Sequence, residues 1–131
     1  MSDDGWNTAK TTKAQFKLFR AEAEKWIDFF GLADWDVTFL HNEIDDGRAE
    51  TSADELNSLA NITLAKEFQV QPGGEISESE IKQCAFHEAC ELLLFRLRIL
   101  STRRSTRVEE VMREMHRVIN ILENTIFKNA C

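Results

Sequence analysis

The chain has 131 residues, 43% of them hydrophobic and 30% charged, and a formal net charge of -7 at pH 7. This length fits one domain with a buried core, and the composition is that of a globular rather than a disordered protein. The acidic balance argues against a dedicated nucleic-acid-binding protein, and no apolar run reaches the roughly 18 residues that a membrane-spanning helix needs.

The N-terminal segment and the cysteines set the expected domain and compartment. Residues 1–10 are polar and are predicted to be a flexible leader, followed by a single domain over residues 11–131. Acidic residues in the leader argue against a secretory signal peptide. Two of the three cysteines, Cys84 and Cys90, lie on one predicted helix, so we expect no disulfide framework and a cytoplasmic location.

The first predicted element of the domain is a helix, and the second is a strand. Between Thr11 and Phe30 the apolar residues recur at intervals of three and four, which predicts an amphipathic helix that stops at Gly31. From Trp35 onwards apolar and polar residues alternate, which predicts a strand that ends near Ile44.

Two more strands are predicted over residues 48–54 and 58–65, and the second of these is rich in β-forming residues. The stretch of proline and glycine at residues 71–74 then interrupts the chain. The middle third is therefore expected to be a small, three-stranded, mainly antiparallel sheet.

The last third is predicted to be helical. Ser77 followed three residues later by Glu80 is a capping-box pattern, and apolar residues then cover most of the circumference of a helix predicted over residues 77–100. A final helix is predicted over residues 108–127. The sequence thus predicts an α+β fold with an N-terminal helix, a small sheet, a central helix and a C-terminal helix in that order.

Three polar side chains interrupt this central, apolar helix. His87 and Glu91 are four residues apart and share one face of the helix, and Glu88 emerges beside them. Imidazole nitrogen and carboxylate oxygen are zinc ligands, and a catalytic zinc site has three protein ligands and one open position. Glu88 has the chemistry to take a proton from a zinc-bound water.

A third ligand has to come from elsewhere in the chain, and the final helix is the expected source. His116 is the favoured candidate because it lies at the edge of the apolar stripe of that helix. Glu109, seven residues earlier on the same edge, is the reserve candidate. The sequence therefore predicts a Zn²⁺ site built from His87 and Glu91 with one of these two residues.

A purely structural interpretation of the motif stays open. In that interpretation Glu91 reaches solvent or pairs with Arg98 or another nearby arginine, and the motif has no metal. Cys84 and Cys90 are expected to be small core residues, although Cys90 also has the chemistry of a soft metal ligand. His41 is expected to be an exposed strand residue rather than a ligand.

Four segments together resemble a known family: Trp35-Asp36-Val37, Ala60-Asn61-Ile62-Thr63-Leu64, His87-Glu88 and Met115-His116-Arg117-Val118-Ile119. They resemble the compact zincin metallopeptidases of the SprT-like and minigluzincin type, including small phage-encoded metallopeptidase-like proteins. The resemblance extends over about residues 16–127. It implies a zincin-like fold and, if the protein is phage-encoded, a location in the host cytoplasm.

The resemblance also implies roles for individual residues. His87 and Glu91 are expected to bind zinc, Glu88 to be the general base, and His116 or Glu109 to be the third ligand. One residue departs from the pattern, because the family has histidine where this chain has Glu91. This HExxE motif leaves two hypotheses, a zinc-dependent metallopeptidase and a non-catalytic binding module on the same scaffold that engages a host or virion partner.

Two further binding surfaces are expected. The resemblance implies that the edge strand before the motif helix, over residues 58–65, binds a peptide or protein substrate as an added strand, with Asn61 and Thr63 as contact residues. The arginines from Arg96 to Arg107, followed by Arg113 and Arg117, form a basic patch that fits an acidic or nucleic-acid partner. The simpler interpretation of the patch is a solvated, helix-stabilising set of cations. No membrane partner is expected.

Overall fold

The computed structural model describes residues 7–127, with the side chain of Phe127 excepted. Within this range the elements are β1 (Asn7–Lys10), α1 (Lys13–Phe29), β2 (Asp36–Asn42), β3 (Ala49–Asp54), β4 (Leu59–Ala65), β5 (Glu67–Val70), α2 (Glu78–Leu93), α3 (Phe95–Thr102), α4 (Val108–Leu122) and a π-helical turn (Glu123–Phe127). The predicted α+β class is confirmed.

The strands form two small sheets. Three of them are ordered β2-β4-β3, with β2 and β4 parallel and β3 and β4 antiparallel, while β1 and β5 form an antiparallel pair. Two of the three pairings are antiparallel, although the predicted three-stranded sheet itself has one parallel and one antiparallel pair. The sequence did not predict that β4 is the central strand, which leaves β2 and β3 as the edges of the larger sheet.

The N-terminal end of the described chain forms a strand rather than a leader. Residues 1–6 of the predicted leader lie outside the described residues, but Asn7–Lys10 pair with β5. Thr11 then joins the two sheets, because its backbone N–H donates to the Lys66 carbonyl at 2.8 Å and its hydroxyl donates to the Ala65 carbonyl at 2.7 Å. Backbone pairing therefore orders a polar segment whose side chains carry no strand pattern.

Helices α1 and α2 pack together and cover one face of the larger sheet. Thr12 caps α1 in a complete capping box with Gln15. Ser77 caps α2 through the Glu80 backbone N–H, which confirms the predicted cap, but the Glu80 side chain does not complete the predicted box. The largest fully buried side chains come from both helices, the sheets and the loop after α1: Phe19, Phe30, Ile62, Leu64, Phe68, Ile81 and Leu92. Together they form the centre of one hydrophobic core.

The predicted central helix is broken in two. It ends at Leu93, and α3 begins at Phe95 after Leu94, whose backbone angles are φ -92° and ψ 0°. The break redirects the chain so that the ring of Phe95 packs edge-on against Trp35, with the ring centroids 5.7 Å apart. No helix within residues 7–127 is long and apolar enough to cross a membrane.

His41 is not the exposed strand residue that the sequence predicted. Its ring stacks on Phe16 with the centroids 5.0 Å apart, and its Nε2 lies 2.6 Å from the Thr11 hydroxyl. Because that hydroxyl gives its proton to the Ala65 carbonyl, Nε2 is the donor in this contact. Burial, together with the positive charge of Lys66, lowers the pKa of His41 below its ordinary value.

A lowered pKa in the folded chain makes the contribution of His41 to stability depend on pH. The unfolded chain binds a proton on His41 more readily, so the free energy of unfolding falls as the pH drops through about 6.5 and below. We expect His41→Gln to lose less stability than wild type between about pH 7.5 and 5.5 in urea unfolding experiments. Equal losses of stability in wild type and His41→Gln over this pH range would contradict the assignment of the pH dependence to His41.

Candidate metal centre

Helix α2 buries one face in the core and exposes the other. Ile81, Ala85, Ala89 and Leu92 are buried, and the ring of Phe86 packs against Trp26 of α1. The spacing of these apolar residues fixes how the helix is rotated, because residues three and four apart share a face. The rotation places the motif residues at the border between the core and solvent.

His87 and Glu91 lie together on the exposed side of α2, as predicted. His87 Nε2 is 3.3 Å from Glu91 Oε1, and the two side chains are 68% and 46% exposed. Two ligands of a tetrahedral zinc ion at 2.0–2.1 Å from the metal are themselves about 3.3 Å apart. The contact is an ion pair when His87 is protonated, and the same separation suits two zinc ligands.

Glu88 is turned about a quarter turn around the helix from His87, into the contact between α2 and the edge strand β3. The residue is 5% exposed, and the Thr51 hydroxyl donates to its Oε1 at 2.8 Å. Burial raises the pKa of Glu88 above the ordinary value of a glutamate, although the Thr51 hydrogen bond and His87 partly offset the effect. Glu88 is therefore an acid that holds its proton more tightly than an exposed carboxyl.

The two candidates for the third ligand lie on α4. The helix chiefly contacts α3, and both His116 and Glu109 are exposed on it. His116 Nδ1 is 2.7 Å from the Met112 carbonyl oxygen, so Nδ1 donates the hydrogen bond and Nε2 carries the lone pair that a metal would use. Within residues 7–127, no three His, Cys, Asp or Glu side chains come together in a group that could hold a metal ion.

The structure corrects the predicted substrate-binding strand. Because β4 is the central strand, its backbone pairs with β2 on one side and with β3 on the other, so it has no open edge. Asn61 is paired with Thr38 and Ser52, and alternation along the strand puts its side chain on the face away from α2. Thr63 shares that outer face and is 6% exposed. Neither residue faces the motif.

Four residues at or next to the α2–β3 contact were not among the predicted site residues: Arg48, Thr51, Glu80 and Cys84. Arg48 Nη1 lies 3.6 Å from Glu80 Oε2, and the Arg48 guanidinium also interacts with Cys84. Thr51 holds Glu88 in the same contact. The sequence contained a signal for this row of polar contacts. Glu80, Cys84 and Glu88 recur every four residues, so they lie on one face of the helix.

The two cysteines behave as the structural interpretation predicted. Cys84 and Cys90 are both partly buried and pack against the core. Burial raises the pKa of both thiols, and nearby Glu91 adds to the effect at Cys90. Both are therefore thiols rather than thiolates at neutral pH.

Several arginines of the basic patch are engaged in ion pairs. Arg96 pairs with Asp34 at 2.8 Å and Arg103 with Glu55 at 2.7 Å. Arg117 pairs with Glu114 on α4. These contacts offset part of the positive charge that the sequence concentrates here, and an acidic or nucleic-acid partner for the patch stays a prediction.

Two grooves on the surface lie away from the motif. A half-open groove of about 520 Å³ separates the turn at residues 43–48 from β5, and one of about 360 Å³ lies on the outer face of the larger sheet. None of His87, Glu88 and Glu91 lines either groove. Because the His87 and Glu91 side chains are exposed, the candidate metal centre lies on the open surface.

Comparison of the chain with family models, with curated proteins and with solved structures gives no match. The resemblance to compact zincins therefore rests on the motif residues and their order along the chain, and family membership stays a prediction.

Proposed function

We propose that this chain is a zincin-like metallopeptidase domain whose zinc ion is held by His87 and Glu91. The observation that carries the proposal is the 3.3 Å separation of His87 Nε2 and Glu91 Oε1, which matches two corners of a zinc tetrahedron. Zinc at this position supplies a Lewis acid that makes a bound water more acidic. Two donors fit the ion, and the described residues do not supply the third, so no catalytic step is assigned.

Glu88 is the acid–base group in this proposal. Its raised pKa brings the carboxyl closer to the pH at which a side chain both takes and gives a proton. The Thr51 hydroxyl fixes Oε1 at 2.8 Å and so limits the rotation of the carboxyl group. This places the proton-transfer group on the β3 side of the metal ligands.

The proposed substrate is an extended peptide or protein segment in the cytoplasm. Strand β3 is an edge of the larger sheet and contacts α2 through Thr51, so an added strand on this edge runs beside the motif helix. Backbone hydrogen bonds to β3 supply affinity that depends little on sequence.

A non-catalytic binding module is the second candidate, and a specific observation favours it. The Glu88 carboxyl is buried and bound to Thr51, as expected of a residue that joins α2 to β3, and His116 lies on a helix that packs on α3. In this candidate the β3 edge binds a partner segment without cutting it, in a host cell or a virion.

Hydrolysis of a mixture of unstructured peptides separates the two candidates. The wild type with added zinc is compared with Glu88→Gln, and new peptide termini are detected by mass spectrometry. The metallopeptidase candidate requires cleavage by wild type and a loss of at least about 100-fold in the variant. Cleavage that is equal in both proteins contradicts the role of Glu88, and no cleavage by either favours the binding module.

A further inference from the structure

Helix α4 exposes a row of large apolar side chains. Five of the nine large hydrophobic residues that are exposed within residues 7–127 lie on α4 or on the π-helical turn that extends it. They are Val108 (76% exposed), Met112 (46%), Met115 (40%), Ile119 (43%) and Ile126 (41%). We call these five residues the α4 stripe, which extends for about 27 Å along the helix.

Within residues 7–127, none of the five residues of the α4 stripe belongs to the buried core. Helix α4 contacts the core through a different face, on which Val118 is buried and Val111 and Ile121 are half-buried. At 100° per residue, this face lies about a quarter turn around the helix from the α4 stripe. The stripe is therefore a second apolar surface, additional to the one that the fold requires.

The spacing of the stripe is that of a helix–helix seam. Its residues, with half-buried Leu122 between Ile119 and Ile126, are separated by intervals of four, three, four, three and four. These five intervals span 18 residues and average 3.6, close to the period of 3.5 residues at which one helix packs along another. A helix is therefore the partner that fits this surface.

We propose that the α4 stripe is the interface of a homodimer in which the α4 helices of two copies pack antiparallel. The intervals between Val108, Met112, Met115 and Ile119 are four, three and four, the same order when counted from either end. A second copy running in the opposite direction therefore presents these four residues of the stripe at matching positions, and Ile126 lies beyond the overlap. A pairing centred between Arg113 and Glu114 puts Val108 opposite Ile119 of the second copy, and Met112 opposite its Met115.

Charge at the two ends of α4 supports an antiparallel second copy. Exposed Arg104 and Arg107 precede the N-terminus of the helix, and exposed Glu123 follows its C-terminus. In the antiparallel pairing described above, the end of one α4 that Glu123 follows lies beside the end of the other α4 that Arg104 and Arg107 precede, so unlike charges lie near each other at both ends. A parallel pairing instead brings the arginines of the two copies together, where they repel. The antiparallel arrangement also aligns the two helix dipoles favourably.

Sedimentation equilibrium over a range of protomer concentrations tests the dimer. A single helix pair belongs to the small interfaces, below about 1,200 Å² in total, so we expect a dimer that dissociates in the micromolar range. The double variant Met112→Glu/Met115→Glu puts four carboxylates in the centre of the seam, and we expect it to weaken the dimer by at least 100-fold. Leu56→Glu, at a 91% exposed position outside the stripe, is the matched control and should dimerise as wild type does.

A charge reversal tests the antiparallel direction. Arg104→Glu and Glu123→Arg should each weaken the dimer several-fold, because each creates like charges at both ends of the seam. The combination of the two substitutions should restore the affinity of the wild type. Far-UV circular dichroism and thermal unfolding of each variant verify that the fold is kept.

Three results would overturn the proposal. The first is a wild type that stays monomeric up to about 0.5 mM. This result would mean that the α4 stripe binds a helix of another protein instead of a second copy. The second is a dimer that the Met112→Glu/Met115→Glu variant keeps with unchanged affinity. The third is a double charge variant that is no tighter than the single variants, which would contradict the antiparallel direction. None of these results depends on zinc or on peptide hydrolysis.

Discussion

Leu92→Ala is expected to lower the free energy of unfolding by about 2–5 kcal/mol. Leu92 lies on the motif helix one residue after Glu91 and is 1% exposed in the core. Truncation to alanine removes buried apolar surface and leaves a cavity in close-packed surroundings. Because this contact fixes the rotation of α2, we expect the His87–Glu91 pair to lose its fixed position on the surface as well. Urea unfolding followed by circular dichroism measures the change.

Leu94→Ala is the matched control for this substitution. It makes the same chemical change two residues further on, where Leu94 is 43% exposed between α2 and α3. We expect a loss of about 1 kcal/mol or less, because little buried surface is removed. Equal losses for the two variants would show that the inward face of α2 is not the one described.

Thr51→Val is expected to destabilise the chain by about 1–3 kcal/mol at neutral pH. Valine has nearly the shape of threonine but no hydroxyl, so the substitution leaves the buried Glu88 carboxylate without its 2.8 Å hydrogen bond. The loss should shrink at about pH 4, where the carboxyl is protonated and less costly to bury. Thr38→Val, on the exposed face of β2, is the matched control and should change stability by less than about 0.5 kcal/mol. A difference between the two variants that does not depend on pH would contradict the role of the carboxylate.

Glu88→Gln is expected to stabilise the chain at neutral pH, because it removes the buried charge instead of its hydrogen-bond partner. Because burial raises the pKa of Glu88, the folded chain binds this proton more tightly than the unfolded chain does. Stability is therefore highest below the ordinary glutamate pKa and falls as the pH rises through the raised value. Glutamine keeps an oxygen for the Thr51 hydroxyl but has no charge, so the variant should be more stable than wild type at neutral pH. A variant that is less stable at neutral pH would mean that the charge itself holds α2 against β3.

Sequence periodicity predicted most of the fold. The intervals of three and four in the first helix and around Ser77 fixed both helix starts to within about two residues, because amphipathic spacing and N-caps are local signals. Alternation around Trp35 likewise predicted β2. The same reasoning predicted that His87 and Glu91 lie together, since residues four apart on a helix are neighbours whatever the rest of the fold does.

The parts that sequence reasoning missed depend on contacts between distant segments. Strand order is set by which backbones meet, so the pattern of residues 58–65 predicted a strand but not its central position. The strand at Asn7–Lys10 exists because β5 pairs with it. His41 is half-buried because Phe16 and Thr11 lie against it, and no pattern near His41 indicates either contact.

The third ligand shows the same limit at the candidate metal centre. Position along α4 places His116 on a face of the helix, but the break after Leu93 and the packing of α4 on α3 decide where that face lies. Neither α2 nor α3 contains a proline or a glycine, the residues that most often break helices, so the sequence did not indicate the break. The sequence likewise predicted which face of α2 carries Glu88, but it did not predict the contact of Glu88 with Thr51.

The proposed zinc site is tested most directly by a competition titration with a chromogenic zinc chelator, using protein purified without added metal. We expect wild type to bind one zinc ion per chain, and His87→Ala and Glu91→Ala each to weaken binding at least 100-fold. His41→Ala, which removes a histidine 46 positions away in the sequence, is the matched control and should bind as wild type does. His116→Ala weakens binding only if α4 supplies the third ligand. A wild type that takes up no zinc at micromolar levels, or a His87→Ala variant that binds as tightly as wild type, would contradict the site.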